Sequence, residues 1–121
     1  MEAPHLREGR RGERIACRFL LNQGFDVLAR RYKGRAGELD IIAFEQDTLV
    51  FVEVKKRNTD QFGDALSAIT RIKQRHMVKS ALWYMKKHTC FNRRVRFDAV
   101  GLDGEQVKIV KSAFMVEDDG R

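Results

Sequence analysis

The stretch Thr48 to Lys55, Thr-Leu-Val-Phe-Val-Glu-Val-Lys, constrains the fold of this 121-residue chain more than any other segment. Side chains on a β-strand alternate between its two faces, and this run is apolar at both sets of positions. It therefore predicts a central strand covered on both faces, which requires helices packed against a sheet. Glu53 is the exception, because burying an unpaired carboxylate costs several kcal/mol. We expect Glu53 to have a cationic partner: Lys55, an arginine or a metal ion.

The remaining secondary structure is predicted from periodicity and turn residues. Gly12 to Asn22 places apolar residues on one helical face and stops before Gly24, a residue typical of helix C-termini. A longer helix is predicted from Asp64, a candidate N-cap, to about Lys87. Further strands are predicted over Phe25 to Tyr32, Glu38 to Phe44, Val95 to Leu102 and Gln106 to Val110. The predicted order α-β-β-β-α-β-β indicates an α/β or α+β domain in which helices flank a sheet.

Composition restricts both the domain organisation and the partners. The length suits a single domain over residues 1–121, with residues 1–11 as a flexible basic arm and 117–121 as an acidic tail. The chain carries 24 Lys and Arg against 17 Asp and Glu, a net charge of +7. This excess favours a polyanionic partner, nucleic acid before an anionic membrane surface, although a basic protein can also lack such a partner. No apolar run could span a bilayer and the charged N-terminus lacks a secretory signal, so we expect a cytoplasmic protein without a membrane partner.

Two pairs of charged residues, each spaced two apart, lie in the predicted second and third strands. Glu38 and Asp40 share one strand face, and Glu53 and Lys55 share one face of the next strand. If the strands are neighbours, three carboxylates and an ammonium group converge on one patch. Mg²⁺ prefers carboxylates plus several waters, which suggests Asp40 and Glu53 as ligands with the Val54 carbonyl as a third. Lys55 could then position a water or stabilise negative charge on a phosphate during phosphodiester hydrolysis.

Each of these residues can also have a purely structural role, without metal binding or catalysis. Glu53 and Lys55 can form a cross-strand ion pair on a solvated face, and Glu38 and Asp40 can form a polar face near a turn. Most cations of the long helix are expected to be solvated, and Trp83 is expected in the core or a dimer contact. Phosphate contacts, which are independent of base sequence, are predicted for five cations: Lys33, Arg35, Lys56, Arg57 and Lys73.

Further motifs accompany these residues along nearly the whole chain. They are Gly12-Glu13 with Ala16, Gly24, Gly37 to Asp40, Phe51 to Arg57, Phe62-Gly63, Lys73, Arg96 to Asp98 and Ala113-Phe114. On these segments the chain resembles the YraN family of small bacterial proteins. That family is similar in pattern to archaeal Holliday-junction resolvases and to the PD-(D/E)xK nuclease superfamily.

The resemblance implies a restriction-endonuclease-like core, a central mixed β-sheet flanked by helices. It implies that Asp40 and Glu53 bind metal and that Lys55 is the catalytic lysine. Glu13 matches a glutamate of the first helix that often completes the metal site, but it can equally be an acid favoured by a helix N-terminus. Glu38 stands where the superfamily has proline, and is either an outer ligand or a partner of Lys55.

The sequence and the resemblance together predict an endonuclease-like protein that uses Mg²⁺, with Mn²⁺ as a possible substitute. Its substrate would be the phosphodiester bonds of DNA, at branched or damaged structures, and resolvase-like relatives suggest a homodimer. The alternative is a nucleic-acid-binding module that keeps the nuclease fold but has weak or no catalytic activity.

Overall fold

The computed structural model describes residues 4–57, 69–89, 92–104 and 106–116, and the side chains of these residues except 4–9 and 57. The elements, in chain order, are helix α1 (Pro4–Asn22), strands β1 (Asp26–Gly34), β2 (Gly37–Glu45) and β3 (Thr48–Arg57), helix α2 (Arg71–Lys87), and strands β4 (Arg94–Asp103) and β5 (Gln106–Val110). The strands form one mixed sheet in the order β1-β2-β3-β4-β5, in which only β3 and β4 are parallel. The predicted α/β fold and the order α-β-β-β-α-β-β are confirmed.

Strand β3 is the central strand, as its composition predicted. Leu49 and Phe51 pack in a core cluster together with α2, while Val50 and Val52 pack in a second cluster with α1. All four side chains are fully buried. Full burial of one such side chain contributes roughly 1.5–3 kcal/mol, so this strand fixes the two layers of helix around the sheet.

Both helices begin at residues other than those predicted. Helix α1 begins at Pro4 rather than at Gly12, so residues 4–11 are helical; proline suits this position because the first helical N–H groups have no intrahelical partner. The predicted stop at Gly24 is confirmed by its positive φ of 94° and by the hydrogen bond from Phe25 N–H to the Leu20 carbonyl.

Helix α2 begins at Arg71, and the predicted continuous helix from Asp64 is wrong. Thr70 has extended backbone angles, and its hydroxyl oxygen accepts a hydrogen bond from the Lys73 backbone N–H at 3.1 Å. A threonine that caps a helix in this way ends the helical backbone on its N-terminal side. Asp64 lies outside the described residues. In the part of the chain that the structure describes, neither helix has the length and apolarity needed to cross a membrane.

Strand β2 changes face near its N-terminal end. Leu39 and Ile41 are two residues apart, so regular alternation would place them on one face, but Leu39 packs in the α2-side cluster and Ile41 in the α1-side cluster. The change coincides with Arg31 of β1, which has a positive φ of 50° and lies between the pairs Arg30↔Ile41 and Tyr32↔Leu39.

Strands β2 and β3 also separate at this point. Their pairing ends at Ile41↔Val52, whereas β3 continues beside β4 as far as Arg57↔Asp103. The sheet therefore opens on the β2 side of β3 beside Asp40 and Glu53.

Candidate active site

Asp40 lies where β2 separates from β3 and binds the exposed edge of β3. The Val54 backbone N–H donates a hydrogen bond of 2.7 Å to Asp40 Oδ2. Without this carboxylate, the Val54 N–H would lack a strand partner on that side. The N–H and C=O groups of a strand residue point towards the same neighbouring strand. The Val54 carbonyl therefore faces the side on which Asp40 lies.

The cationic partner of Glu53 is Lys73 of α2. Glu53 is buried, and its Oε2 lies 3.2 Å from Lys73 Nζ. The expectation of a cation at Glu53 was correct in kind, but among the described residues neither Lys55 nor an arginine supplies it. Lys73 was predicted only as a phosphate contact, because nothing in the local pattern of β3 indicates which helix residue will face it.

Asp40 and Glu53 form a close pair of like charges. Burial, together with the adjacent Glu53 carboxyl group, raises the pKa of Asp40 from 3.8 to about 7, and the Val54 N–H and Lys73 only partly oppose this rise. Two carboxylates held this close favour a form in which one of them keeps a proton. A divalent cation between them would favour the doubly ionised form instead.

The donors at this site fit Mg²⁺ or Mn²⁺. Mg²⁺ is usually bound through one or two carboxylates with water in the remaining positions. Asp40, Glu53 and the Val54 carbonyl provide such a set. Among the described residues, no three His, Cys, Asp or Glu side chains come together in a group that could hold a metal ion. Water or the phosphate of a substrate would therefore have to supply the other ligands.

Lys55 and Glu38 lie near this pair without contacting it. Lys55 follows Glu53 by two residues in β3 and is half-buried. Within the described residues, it forms an ion pair with neither Glu53 nor Glu38. Glu38 is exposed and lies opposite Lys33 near the end of the β1–β2 hairpin. The structure thus joins Asp40 and Glu53 and leaves Glu38 on the surface.

Glu13 lies among arginines and not beside the buried acids. Both of its carboxylate oxygens accept from Arg31 Nε at 2.9 Å. It lines a cavity of about 720 Å³ between α1 and β1, to which Arg10, Arg14 and Arg30 also contribute. Because α1 begins at Pro4, Glu13 lies well inside the helix, and its interpretation as an acid at a helix N-terminus is wrong.

The predicted phosphate contacts are dispersed over β1, the β1–β2 turn, β3 and, for Lys73, α2. Lys33, Arg35 and Lys56 are exposed, on β1, the β1–β2 turn and β3 respectively. The Arg35 guanidinium carbon lies 4.6 Å from the ring centroid of Trp83, which is half-buried. The side chain of Arg57 lies outside the described residues.

Comparison with known proteins identifies relatives over most of the chain. Residues 12–102 match the model of the family described as "Uncharacterised protein family UPF0102". A UPF0102 protein of Desulfosudis oleivorans is 43% identical over 108 residues, which cover 88% of each chain. One of Alkalilimnicola ehrlichii is 42% identical over 93% of this chain and 90% of its own. A relative from Coxiella burnetii is 36% identical over 90% of this chain and 92% of its own. The names of these relatives state no activity.

Proposed function

The chain belongs to the uncharacterised protein family UPF0102, the YraN family, and we propose that it is a metal-dependent endonuclease that hydrolyses DNA phosphodiester bonds. The observation that most supports this is the pair Asp40 and Glu53, two close carboxyl groups at an opening of the sheet. Their proximity and burial raise the pKa of Asp40 to about 7. Such a pair costs stability unless a cation neutralises it, and shifted pKa values of this kind are concentrated at functional sites.

Each residue of the site has a proposed role. Asp40, Glu53 and the Val54 carbonyl would hold Mg²⁺, or Mn²⁺ in its place. The bound ion would lower the pKa of a water and neutralise charge at the scissile phosphate. The Val54 N–H orients Asp40 by donating a hydrogen bond to its Oδ2. Lys73 balances the charge of Glu53. Lys55, paired with neither Glu53 nor Glu38 within the described residues, would stabilise charge on the phosphate or assist deprotonation of the water.

The net charge of +7 supports nucleic acid as the substrate. A preference for branched or damaged DNA, and a homodimer that acts on it, are proposed from the resemblance to resolvase-like nucleases. A substrate panel tests the first, and light scattering coupled to size-exclusion chromatography tests the second.

The nuclease proposal is tested by incubating the protein with labelled single-stranded, duplex and four-way-junction DNA. Each substrate is combined with Mg²⁺, Mn²⁺ or EDTA. We expect cleavage that requires metal and is lost in Asp40→Asn and Lys55→Ala. The matched control is Asp47→Asn, the same change at an exposed residue of the β2–β3 turn, which should cleave like the wild type. Cleavage that persists in Asp40→Asn would contradict the assigned site.

A nucleic-acid-binding module with weak or no activity is the second candidate. It is favoured by one observation: among the described residues only two acids meet at the site. DNA binding in EDTA without cleavage in either metal would select this function over the first.

A further inference from the structure

A groove lined by basic residues runs along α2 beside the turn between β1 and β2. Its volume is about 590 Å³. Its charged or ring-bearing lining residues are Arg35, His76, Lys79, Trp83 and Lys86. Among the described residues no acidic side chain lines it, so three permanent cations, Arg35, Lys79 and Lys86, face one space without a compensating carboxylate from that part of the chain.

Arg35 is held in a defined position in this groove. The central carbon of its guanidinium group lies over the Trp83 ring, 4.6 Å from the ring centroid, within the range of a cation–π interaction. The turn that carries Arg35 is fixed to α2, because Ser80 Oγ donates a hydrogen bond of 3.0 Å to the Gly37 carbonyl. At Gly34 the backbone approaches so closely that an added Cβ would lie 2.8 Å from Ser80 Oγ. The hairpin end and the helix therefore behave as one unit.

The position of Arg35 over the Trp83 ring affects which ligand it can bind. A guanidinium over an aromatic ring keeps N–H donors that match the oxygens of a phosphate. Trp83 supports the arginine, and Arg35 occupies a place over its ring where a base would otherwise stack. The groove is thus suited to a backbone phosphate.

Helix α2 contributes residues to both the groove and the candidate active site. Lys73 pairs with Glu53, and the groove residues His76, Lys79 and Lys86 follow it on the same helix, while Arg35 precedes β2, the strand that carries Asp40. At 1.5 Å per residue, the distance along the helix from Lys73 to Lys86 is about 20 Å. The cations of the groove therefore lie within about 20 Å of Lys73, measured along the helix axis.

We propose that this groove binds the phosphate backbone of the nucleic acid on which the site acts. Arg35, positioned by Trp83, is its principal phosphate contact, and Lys79 and Lys86 are further contacts. The inference rests on the proposed function for the identity of the polyanion. It assigns roles to helix residues that the sequence indicated only as a solvated face or as core.

The test is the salt dependence of DNA binding, measured by fluorescence anisotropy in EDTA so that no metal-dependent cleavage occurs. The logarithm of the binding constant falls linearly with the logarithm of salt concentration, by about 0.9 per phosphate contact on duplex DNA. We therefore expect Arg35→Ala to reduce the slope by about 0.9, and the triple variant with Lys79→Ala and Lys86→Ala to reduce it by about 2.7. Trp83→Leu should weaken binding at least about threefold while Trp83→Phe, which keeps a ring, weakens it less.

The matched control is Arg93→Ala. The Arg93 guanidinium stacks on Phe44 at 4.8 Å, but it precedes β4 at the opposite end of the sheet from the candidate site. Its removal should change neither affinity nor slope. Circular dichroism melts establish that all variants are folded.

The outcomes separate this inference from the proposed activity. The proposal that the groove binds phosphate would be overturned if Arg35→Ala and the triple variant both kept the salt slope of the wild type. It would also be overturned if the wild type did not bind DNA at low salt. A triple variant that loses binding only to anionic phosphatidylserine vesicles and not to DNA would overturn it as well. If the slopes change as expected but neither metal supports cleavage by the wild type, the nuclease proposal fails, whereas the proposal that the groove binds phosphate is supported.

Discussion

Replacing Asp40 with asparagine should stabilise the folded protein at about pH 8 while it removes the proposed activity. Burial and Glu53 raise the pKa of Asp40 from 3.8 to about 7. At about 1.4 kcal/mol per pH unit, this shift of roughly 3 units means that ionised Asp40 costs the fold up to about 4 kcal/mol. Asparagine has nearly the same shape, does not ionise, and keeps an oxygen that can accept from the Val54 N–H.

The stabilisation by Asp40→Asn should increase with pH. The pKa of Asp40 is higher in the folded than in the unfolded chain, so between about pH 4 and 7 the folded state binds more protons. The free energy of unfolding of the wild type therefore decreases with rising pH across this window and levels off above it. Asp40→Asn lacks this decrease. We expect almost no difference between the two proteins near pH 4, and a gain of about 2–4 kcal/mol for the variant at about pH 8.

The assay is urea unfolding in EDTA at several pH values, followed by circular dichroism. The control is Asp98→Asn, the same change at a fully buried carboxylate that accepts two hydrogen bonds from Arg96 and one from the Ser112 N–H. That variant should lose about 3–5 kcal/mol, because it leaves part of a buried ion pair uncompensated. The reasoning would be refuted if Asp40→Asn were no more stable than the wild type at about pH 8, or if its gain were the same at every pH.

Three further predictions concern the same region. Adding Mg²⁺ or Mn²⁺ at about pH 8 should raise the melting temperature of the wild type but not of Asp40→Asn, because only a ligand bound to the folded state stabilises it; equal shifts would contradict the site. Lys73→Met should shift the midpoint of the pH-dependent loss of stability to higher pH, because Lys73 lowers the pKa of Asp40; an unchanged midpoint in the urea series would show that the ion pair with Glu53 has no such influence. Gly34→Ala should cost about 1–3 kcal/mol, since its methyl group would overlap Ser80; addition of Ser80→Gly should recover part of this loss in thermal melts, and a melt unchanged by Gly34→Ala would refute the close approach.

The sequence was sufficient to predict the centre of the fold. Apolar residues on both faces of Thr48 to Lys55 leave burial as the only favourable arrangement, and β3 is accordingly the central strand. The apolar surroundings of Glu53 in this strand also indicated a cationic partner. The sequence could not identify this partner as Lys73, because the contact depends on how α2 packs across the sheet. The sequence did not indicate Thr70 as the N-cap of α2 for a similar reason. The apolar spacing before and after Thr70 continues as in a helix, and only its capping hydrogen bond shows the interruption.

The strand prediction failed at one point, and that point is where the candidate site lies. Alternation assumes a regular backbone, but Arg31 adopts a left-handed conformation that is uncommon for a residue with a Cβ atom, and the change of face between Leu39 and Ile41 lies across from it. No periodicity in the sequence encodes such a step.

The departures from regular structure at this opening of the sheet are each unfavourable taken alone. A left-handed arginine is strained, the pairing of β2 with β3 ends early, and Asp40 is half-buried beside a second carboxyl group. Asp40 offsets only the early end of the β2–β3 pairing, because it accepts the hydrogen bond from the Val54 N–H. An asparagine at this position could accept the same hydrogen bond without the electrostatic cost. The structural role therefore explains an acceptor at position 40 but not an ionisable one, and a charge that disfavours folding without metal is what a cation-binding site requires.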